Sequence, residues 1–227
     1  MAHTNETNEP QKLEKIESTL GRAELYIEQN QKKLTYIVGA VLIVVAGFIA
    51  YRNFVISPRE TEVQNVIWQA QNAFAKDSFN IALYGNESVM GFSEIVDEYG
   101  STKAGNLAKA YAGFCCIKLG EYENAISYLE DFEVQDPVIM PLAKSAIGDA
   151  YTELGNLDKA VAFYLEAAEL SSHELSSPLF LMKAGMVYEK MGKKDKALEV
   201  YTKIKDEYPT SNEASSIDKY ITRVSFK

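Results

Sequence analysis

The sequence predicts an all-α protein in which one N-terminal transmembrane helix is followed by a solenoid of stacked helix pairs. Three observations lead to this fold class. An uncharged apolar run near the N-terminus is long enough to cross a membrane, a glycine–alanine pattern recurs in the second half, and the last segment has the pattern of a polar-faced capping helix. The 227 residues therefore suit one soluble domain with an additional anchor.

The first 33 residues form a leader of mixed charge. Apolar residues recur at steps of three and four between Leu13 and Ile27, which is the period of an amphipathic helix. We expect this helix to run into the membrane, to lie on its surface or to dock onto a cytoplasmic partner.

The apolar run extends from Leu34 to Tyr51, and its eighteen residues carry no charge. As a helix it would be about 27 Å long, close to the ~30 Å hydrocarbon core of a bilayer. We predict a transmembrane signal anchor over residues 34–56. A cleaved signal peptide would have a short basic leader and a small-residue cleavage site, and a buried core helix would show a polar face.

Basic residues beside the run favour one orientation in the membrane. Lys32 and Lys33 directly precede the run, whereas Arg52 and Arg59 follow it and fewer bases lie on that side. Because cytoplasmic flanks carry the excess of lysine and arginine, we expect a cytoplasmic N-terminus and a large domain on the opposite side.

A pattern of small residues recurs three times in the second half of the chain. A glycine is followed seven residues later by a second glycine and five residues after that by an alanine. The first glycines are Gly113, Gly148 and Gly185, the second are Gly120, Gly155 and Gly192, and the alanines are Ala125, Ala160 and Ala197. The second glycines lie 35 and 37 residues apart. This spacing resembles the tetratricopeptide repeat, a helix–turn–helix unit with a period of 34 residues.

Each position in the pattern has a physical reason. The first glycine lets the second helix cross closely, the second glycine takes a positive φ and ends the first helix, and the alanine lies under the partner helix. We predict a degenerate first repeat followed by three regular repeats and a C-terminal cap. Their bounds are residues 57–105, 106–140, 141–177, 178–211 and 212–227.

The remaining composition indicates protein binding and gives no sign of catalysis. The net charge is −9, which argues against a nucleic-acid partner because phosphate contacts need a basic face. The adjacent Cys115 and Cys116 are expected to be small core residues. His3 and His173, the two histidines, have no metal or nucleophile motif nearby. We therefore predict no catalytic residue, cofactor or metal.

In the tetratricopeptide register, side chains of each first helix face a concave groove. The candidate protein-binding residues are Leu107, Phe114, Ile117, Leu142, Asp149, Leu179, Met182, Met186 and Glu189. We expect an apolar groove with acidic spots, suited to a helix or an extended hydrophobic segment. Coverage of these side chains by the first helix of the domain, or by self-association, is the alternative.

The whole architecture resembles the YfgM-like ancillary subunits of the bacterial Sec translocon. The resemblance rests on the short leader, the single anchor, three to four repeats and the final segment YITRV, residues 220–224. It implies a bacterial inner-membrane protein with periplasmic repeats, and translocon subunits, chaperones or exported clients as partners. Three alternatives stay open: a structural scaffold or homo-oligomeric subunit of another envelope complex, a receptor with reversed topology and, remotely, an enzyme.

Overall fold

A computed structural model of the chain describes residues 9–171 and 176–226, with side chains from Glu28 onward. These residues form two units, one ending at Ser57 and the other beginning at Pro58. Helices dominate both units, and the described ranges contain no strand. The predicted all-α class is confirmed. The two histidines, His3 and His173, and the amphipathic face predicted for Leu13 to Ile27 lie outside the described residues or side chains.

The first unit is built on one long helix. Helix α1, Glu9–Tyr51, contains both the predicted leader helix and the apolar run, and a π-helical turn, Arg52–Ile56, follows it. This N-terminal helix is long and apolar enough to span a membrane, and none of its most apolar stretch is buried. Large apolar side chains along it, such as Ile43 and Phe48, are exposed.

The second unit consists of ten α-helices in the described residues, α2 to α11, and a 3-10 turn before the last one. Their bounds are α2 Ser57–Ala75, α3 Phe79–Tyr84, α4 Phe92–Tyr99, α5 Lys103–Leu119, α6 Tyr122–Glu130, α7 Ile139–Glu153, α8 Leu157–Leu170, α9 Ser177–Lys190, α10 Lys194–Glu207 and α11 Ile217–Ser225. The connection between α2 and α4 contains helix α3. Ala82 and Leu83 are fully buried there, so packing rather than local periodicity specifies this helix.

Helix α2 is fixed to the following helices by specific hydrogen bonds. The Glu60 carboxylate accepts the backbone N–H groups of Lys103 and Ala104 at 2.7 and 3.2 Å, at the beginning of α5. The Arg59 guanidinium donates to the Glu98 carbonyl at 2.8 Å. A carboxylate at a helix N-terminus accepts hydrogen bonds from N–H groups that have no partner within the helix, and the positive end of the helix dipole stabilises its charge. Helix α2 is therefore an integral part of the second unit.

Three regular helix pairs follow, α5–α6, α7–α8 and α9–α10, and a glycine at the end of each first helix starts the turn. Gly120, Gly155 and Gly192 have φ values of 78°, 76° and 72°. These left-handed conformations confirm the predicted role of the turn glycines, because residues with a Cβ rarely adopt them.

The first glycine of each pattern lies directly under a side chain of the paired helix. Leu129 lies over Gly113, Tyr164 over Gly148 and Tyr201 over Gly185. A Cβ atom built on Gly185 would be 2.7 Å from Cζ of the fully buried Tyr201 ring, which is closer than van der Waals contact allows. The predicted close crossing of the two helices is confirmed.

The interior also contains the two cysteines. Cys115 and Cys116 are free and fully buried in α5. Burial is the main cause that raises the pKa of each thiol, to about 12 in both cases. Since the thiolate is the reactive form, these cysteines are inert core residues, as the sequence predicted.

We predict that Gly185→Ala destabilises the protein. Overpacking a core costs about 1–3 kcal/mol, whereas replacing glycine by alanine inside a helix gains about 0.5–1 kcal/mol. The clash with Tyr201 therefore exceeds the gain. Urea unfolding of the full chain in detergent micelles measures the change, and Glu199→Ala on the exposed side of α10 is the control. A Gly185→Ala variant as stable as the wild type would contradict the close approach.

Candidate functional site

A groove is formed in the second unit by side chains of α2, α5, α7 and α9. Its cavity has a volume of about 340 Å³. The apolar lining residues are Phe74, Phe114, Ile117, Leu142, Ala146, Leu179 and Phe180, and the polar ones are Lys118, Ser145, Asp149 and Lys183. Because α5, α7 and α9 are the first helices of successive pairs, equivalent faces of these helices meet in one groove.

Five of the residues predicted to face a groove line this cavity together. They are Phe114, Ile117, Leu142, Asp149 and Leu179. Leu142 and Leu179 retain 43% and 41% of their accessible surface, which is high for leucine in a folded domain. The side chains are therefore available to a ligand, and contact with one stays a prediction.

The other four predicted residues lie elsewhere in the described part of the chain. Met182 is 8% exposed and packs within the core between α8, α9 and α10. Met186 is 51% exposed and follows Leu179 by seven residues on α9, so it extends the apolar face of that helix toward α11. Leu107 is half-buried on α5. Glu189 is engaged by hydrogen bonds to α10 and α11.

Helix α2 contributes Phe74, which was not among the predicted groove residues. The ring packs edge-on against Tyr111 of α5 with 5.2 Å between ring centroids. Phe74 belongs to the apolar face of α2 in the sequence, but the repeat register does not place α2 beside the groove. The first helix thus lines part of the groove, while Leu142 and Leu179 stay exposed.

An ion pair occupies the centre of the groove. The Lys183 ammonium lies 2.8 Å from each carboxylate oxygen of Asp149 and 3.2 Å from Oγ of Ser145. The Tyr164 hydroxyl donates to Oδ1 of Asp149 at 2.7 Å. The acidic spot expected at Asp149 is therefore neutralised by Lys183, which the sequence analysis did not select. The two side chains keep 31% and 38% of their surface, so the pair adds at most about 1 kcal/mol to stability.

A second, more polar cavity of about 380 Å³ adjoins the first. It is lined by Ile117, Lys118, Tyr122, Asp149, Thr152, Glu153 and Tyr164. The two linings share Ile117, Lys118 and Asp149. The groove is consequently apolar near α2 and α9 and polar between the α5–α6 and α7–α8 pairs.

Glu189 makes similar contacts in the next helix pair, from a different position of the repeat pattern. Its carboxylate accepts the Tyr201 hydroxyl at 2.6 Å and two guanidinium N–H groups of Arg223 at 2.6 and 2.8 Å. Burial raises the pKa of Glu189, but hydrogen bonds from Arg223 and Tyr201 outweigh burial and hold the pKa below its usual range. In both cases the cation follows the carboxylate by 34 residues. Here the cation comes from α11, so the pair attaches the capping helix to α9.

The described residues contain no group of three or more His, Cys, Asp or Glu side chains that could hold a metal ion. Burial is the first cause that raises the pKa of Tyr164, whose hydroxyl donates a hydrogen bond to Asp149.

Comparison with protein-family models supports the interpretation of the helix pairs as tetratricopeptide repeats. Residues 143–174 and 180–211 match family models of the tetratricopeptide repeat. The C-terminal part of the chain contains tetratricopeptide repeats. A search of curated proteins found no match to the chain. Stacked tetratricopeptide repeats present concave surfaces that bind other proteins, so the chain has the features of a protein-interaction adaptor.

We predict that Glu189→Gln loosens α11 at neutral pH and has little effect in acid. The folded-state pKa of Glu189 is lowered, so its stabilisation is fully present above the unfolded-state pKa of about 4.3. It is lost as the pH falls through the folded-state pKa. At pH 7 we expect a loss of about 1 kcal/mol, the upper range for a partly exposed pair.

Hydrogen exchange of the α11 amides from pH 7 down to pH 3.5 measures this effect. Asp218→Asn is the control, because its ion pair with Lys205 has a carboxylate side chain that is 77% exposed. A difference between wild type and Glu189→Gln that does not change with pH would exclude the carboxylate charge as the cause.

Proposed function

We propose that this protein is a non-catalytic, membrane-anchored adaptor whose groove binds a segment of another protein. The observation that carries this proposal is the exposed apolar lining formed by Leu142 and Leu179, which belong to different repeats. Apolar surface buried on binding contributes about 25 cal/mol per Å². A contiguous apolar groove on a soluble domain therefore favours occupancy by an apolar partner segment.

The size of the groove suits a protein segment. A volume of about 340 Å³ lies near the lower end for ligand pockets, and the polar cavity continues it. Such a groove accommodates a few side chains of an amphipathic helix or an extended strand while the rest of that segment stays outside. Phe74 and Phe114 supply the aromatic surface that anchors such side chains.

The proposed anchor is residues 34–56 of the first unit. Its support is an N-terminal helix long enough for a bilayer, with its apolar side chains exposed. Soluble proteins rarely leave so many large apolar side chains in water. Lys32 and Lys33 before the run favour a cytoplasmic N-terminus, which places the repeats on the opposite side.

The most specific form of the proposal follows the resemblance to YfgM-like subunits. In that form the chain lies in a bacterial inner membrane with its repeats in the periplasm, and its partners are translocon subunits, chaperones or exported clients. The alternative is a scaffold that assembles with further copies of itself. Met186 favours this alternative, because the side chain is 51% exposed and lies outside the groove lining.

A photo-crosslinking amino acid at Leu142 tests the groove in native membranes. We expect it to capture a translocon subunit, a chaperone or an exported protein. Leu179→Glu should abolish the capture, since a charge on the apolar lining opposes burial. The matched control is a crosslinker at Leu170 of α8, which is apolar and 45% exposed but lines neither cavity. Equal capture from Leu142 and Leu170 would argue against groove binding, and capture of the chain alone would favour the scaffold.

Membrane topology has a separate test. Ser88 lies in an exposed turn, and Ser88→Cys adds one accessible thiol while the native Cys115 and Cys116 are buried. In bacteria whose outer membrane has been permeabilised, a membrane-impermeant maleimide should label Ser88→Cys and spare Thr4→Cys in the leader. The opposite labelling would show that the repeats face the cytoplasm.

A further inference from the structure

The Lys183 ammonium in the groove is engaged by acceptors of the domain itself. It lies 2.8 Å from Oδ1 and Oδ2 of Asp149 and 3.2 Å from Oγ of Ser145. A ligand acceptor placed there competes with the Asp149 carboxylate and the Ser145 hydroxyl for the N–H groups of Lys183.

The same pair still offers an acceptor. Oδ1 of Asp149 accepts both the Tyr164 hydroxyl and Lys183, whereas Oδ2 accepts Lys183 alone among the described residues. A carboxylate oxygen accepts two hydrogen bonds, so Oδ2 has one free acceptor position. The Asp149 side chain is 38% exposed and lines both cavities, so a bound segment can reach it.

The charge of the centre also restricts the ligand. Lys183 and Asp149 together are neutral. A ligand carboxylate at this point meets the Asp149 charge and competes with Asp149 for Lys183. A ligand ammonium meets Asp149 but lies beside the Lys183 charge, and loses its hydration in an apolar groove. An uncharged hydrogen-bond donor meets no like charge and does not lose the hydration of an ion.

We propose, on the basis of the proposed function, that the bound protein segment places an uncharged hydrogen-bond donor over Oδ2 of Asp149. This donor is the side chain of a serine, threonine, asparagine or glutamine. Apolar residues on the same face of the segment fill the lining around Leu142 and Leu179. Lys183 thus determines specificity, because its positive charge neutralises Asp149 and the groove then does not favour a charged ligand residue.

A host–guest peptide series tests the preference. The probe is a fluorescent alanine–leucine helical peptide with one central guest residue, which is Gln, Glu or Lys. Its binding to the full chain in lipid nanodiscs is measured by fluorescence anisotropy. For the wild type we expect the Gln peptide to bind most tightly, by about fivefold, the factor that a partly exposed charge pair supports.

Two single variants should exchange the order of affinities. Lys183→Met leaves Asp149 as an unpaired anion, so the Lys peptide should bind most tightly. Asp149→Asn leaves Lys183 as an unpaired cation, so the Glu peptide should bind most tightly. The double variant carries no charge at the centre and should return to the preference for Gln. Circular dichroism verifies folding, which is expected because both side chains are partly exposed.

The outcomes separate the two proposals. If the apolar peptides bind but their order is the same in the wild type and in both single variants, the inference on the ion pair is wrong and groove binding stands. If no peptide binds the wild type or any variant, groove binding fails and the inference fails with it. A wild type that prefers the Glu or the Lys peptide also overturns the inference.

Discussion

The close approach of a tyrosine ring to a glycine is the contact on which the repeat domain depends. In α7–α8 the Tyr164 ring lies over Gly148, and no Cβ fits between them. The position of the ring fixes its hydroxyl beside the Asp149 carboxylate on the first helix of the same pair. That carboxylate in turn binds Lys183 from α9. A backbone constraint inside one helix pair therefore sets the contact with the next one.

The three helix pairs differ in the residue that lies over the first glycine and in the hydrogen bonds that this residue makes. In α9–α10 the Tyr201 hydroxyl donates to Glu189, whose cation, Arg223, comes from α11 and attaches that helix to α9. In α5–α6, Leu129 takes the place of the tyrosine and has no hydroxyl to offer. The polar cavity lies between α5–α6 and α7–α8, and Tyr164 supplies one of the polar groups that line it.

The sequence predicted those features that local backbone chemistry determines. Glycines with positive φ and small residues at helix crossings are visible at fixed spacing, so the helix pairs could be placed. Helix α3 could not, because six residues are too few for a periodicity. Phe74 and Lys183 reach the groove only through stacking of helices distant in sequence. Lys183 follows Asp149 by 34 residues and Arg223 follows Glu189 by the same number, but the two carboxylates stand at different positions of the repeat, so the repeat pattern did not select these cations.

In the proposed function, the faces of α5, α7 and α9 bind another protein. Hydrogen exchange of the full chain in nanodiscs, with and without its bound partner, tests this binding. We expect slower exchange at amides of α5, α7 and α9 beside the groove, including those around Leu142 and Leu179, and little change in α6, α8 and α10. Protection confined to α6, α8 and α10 would contradict it.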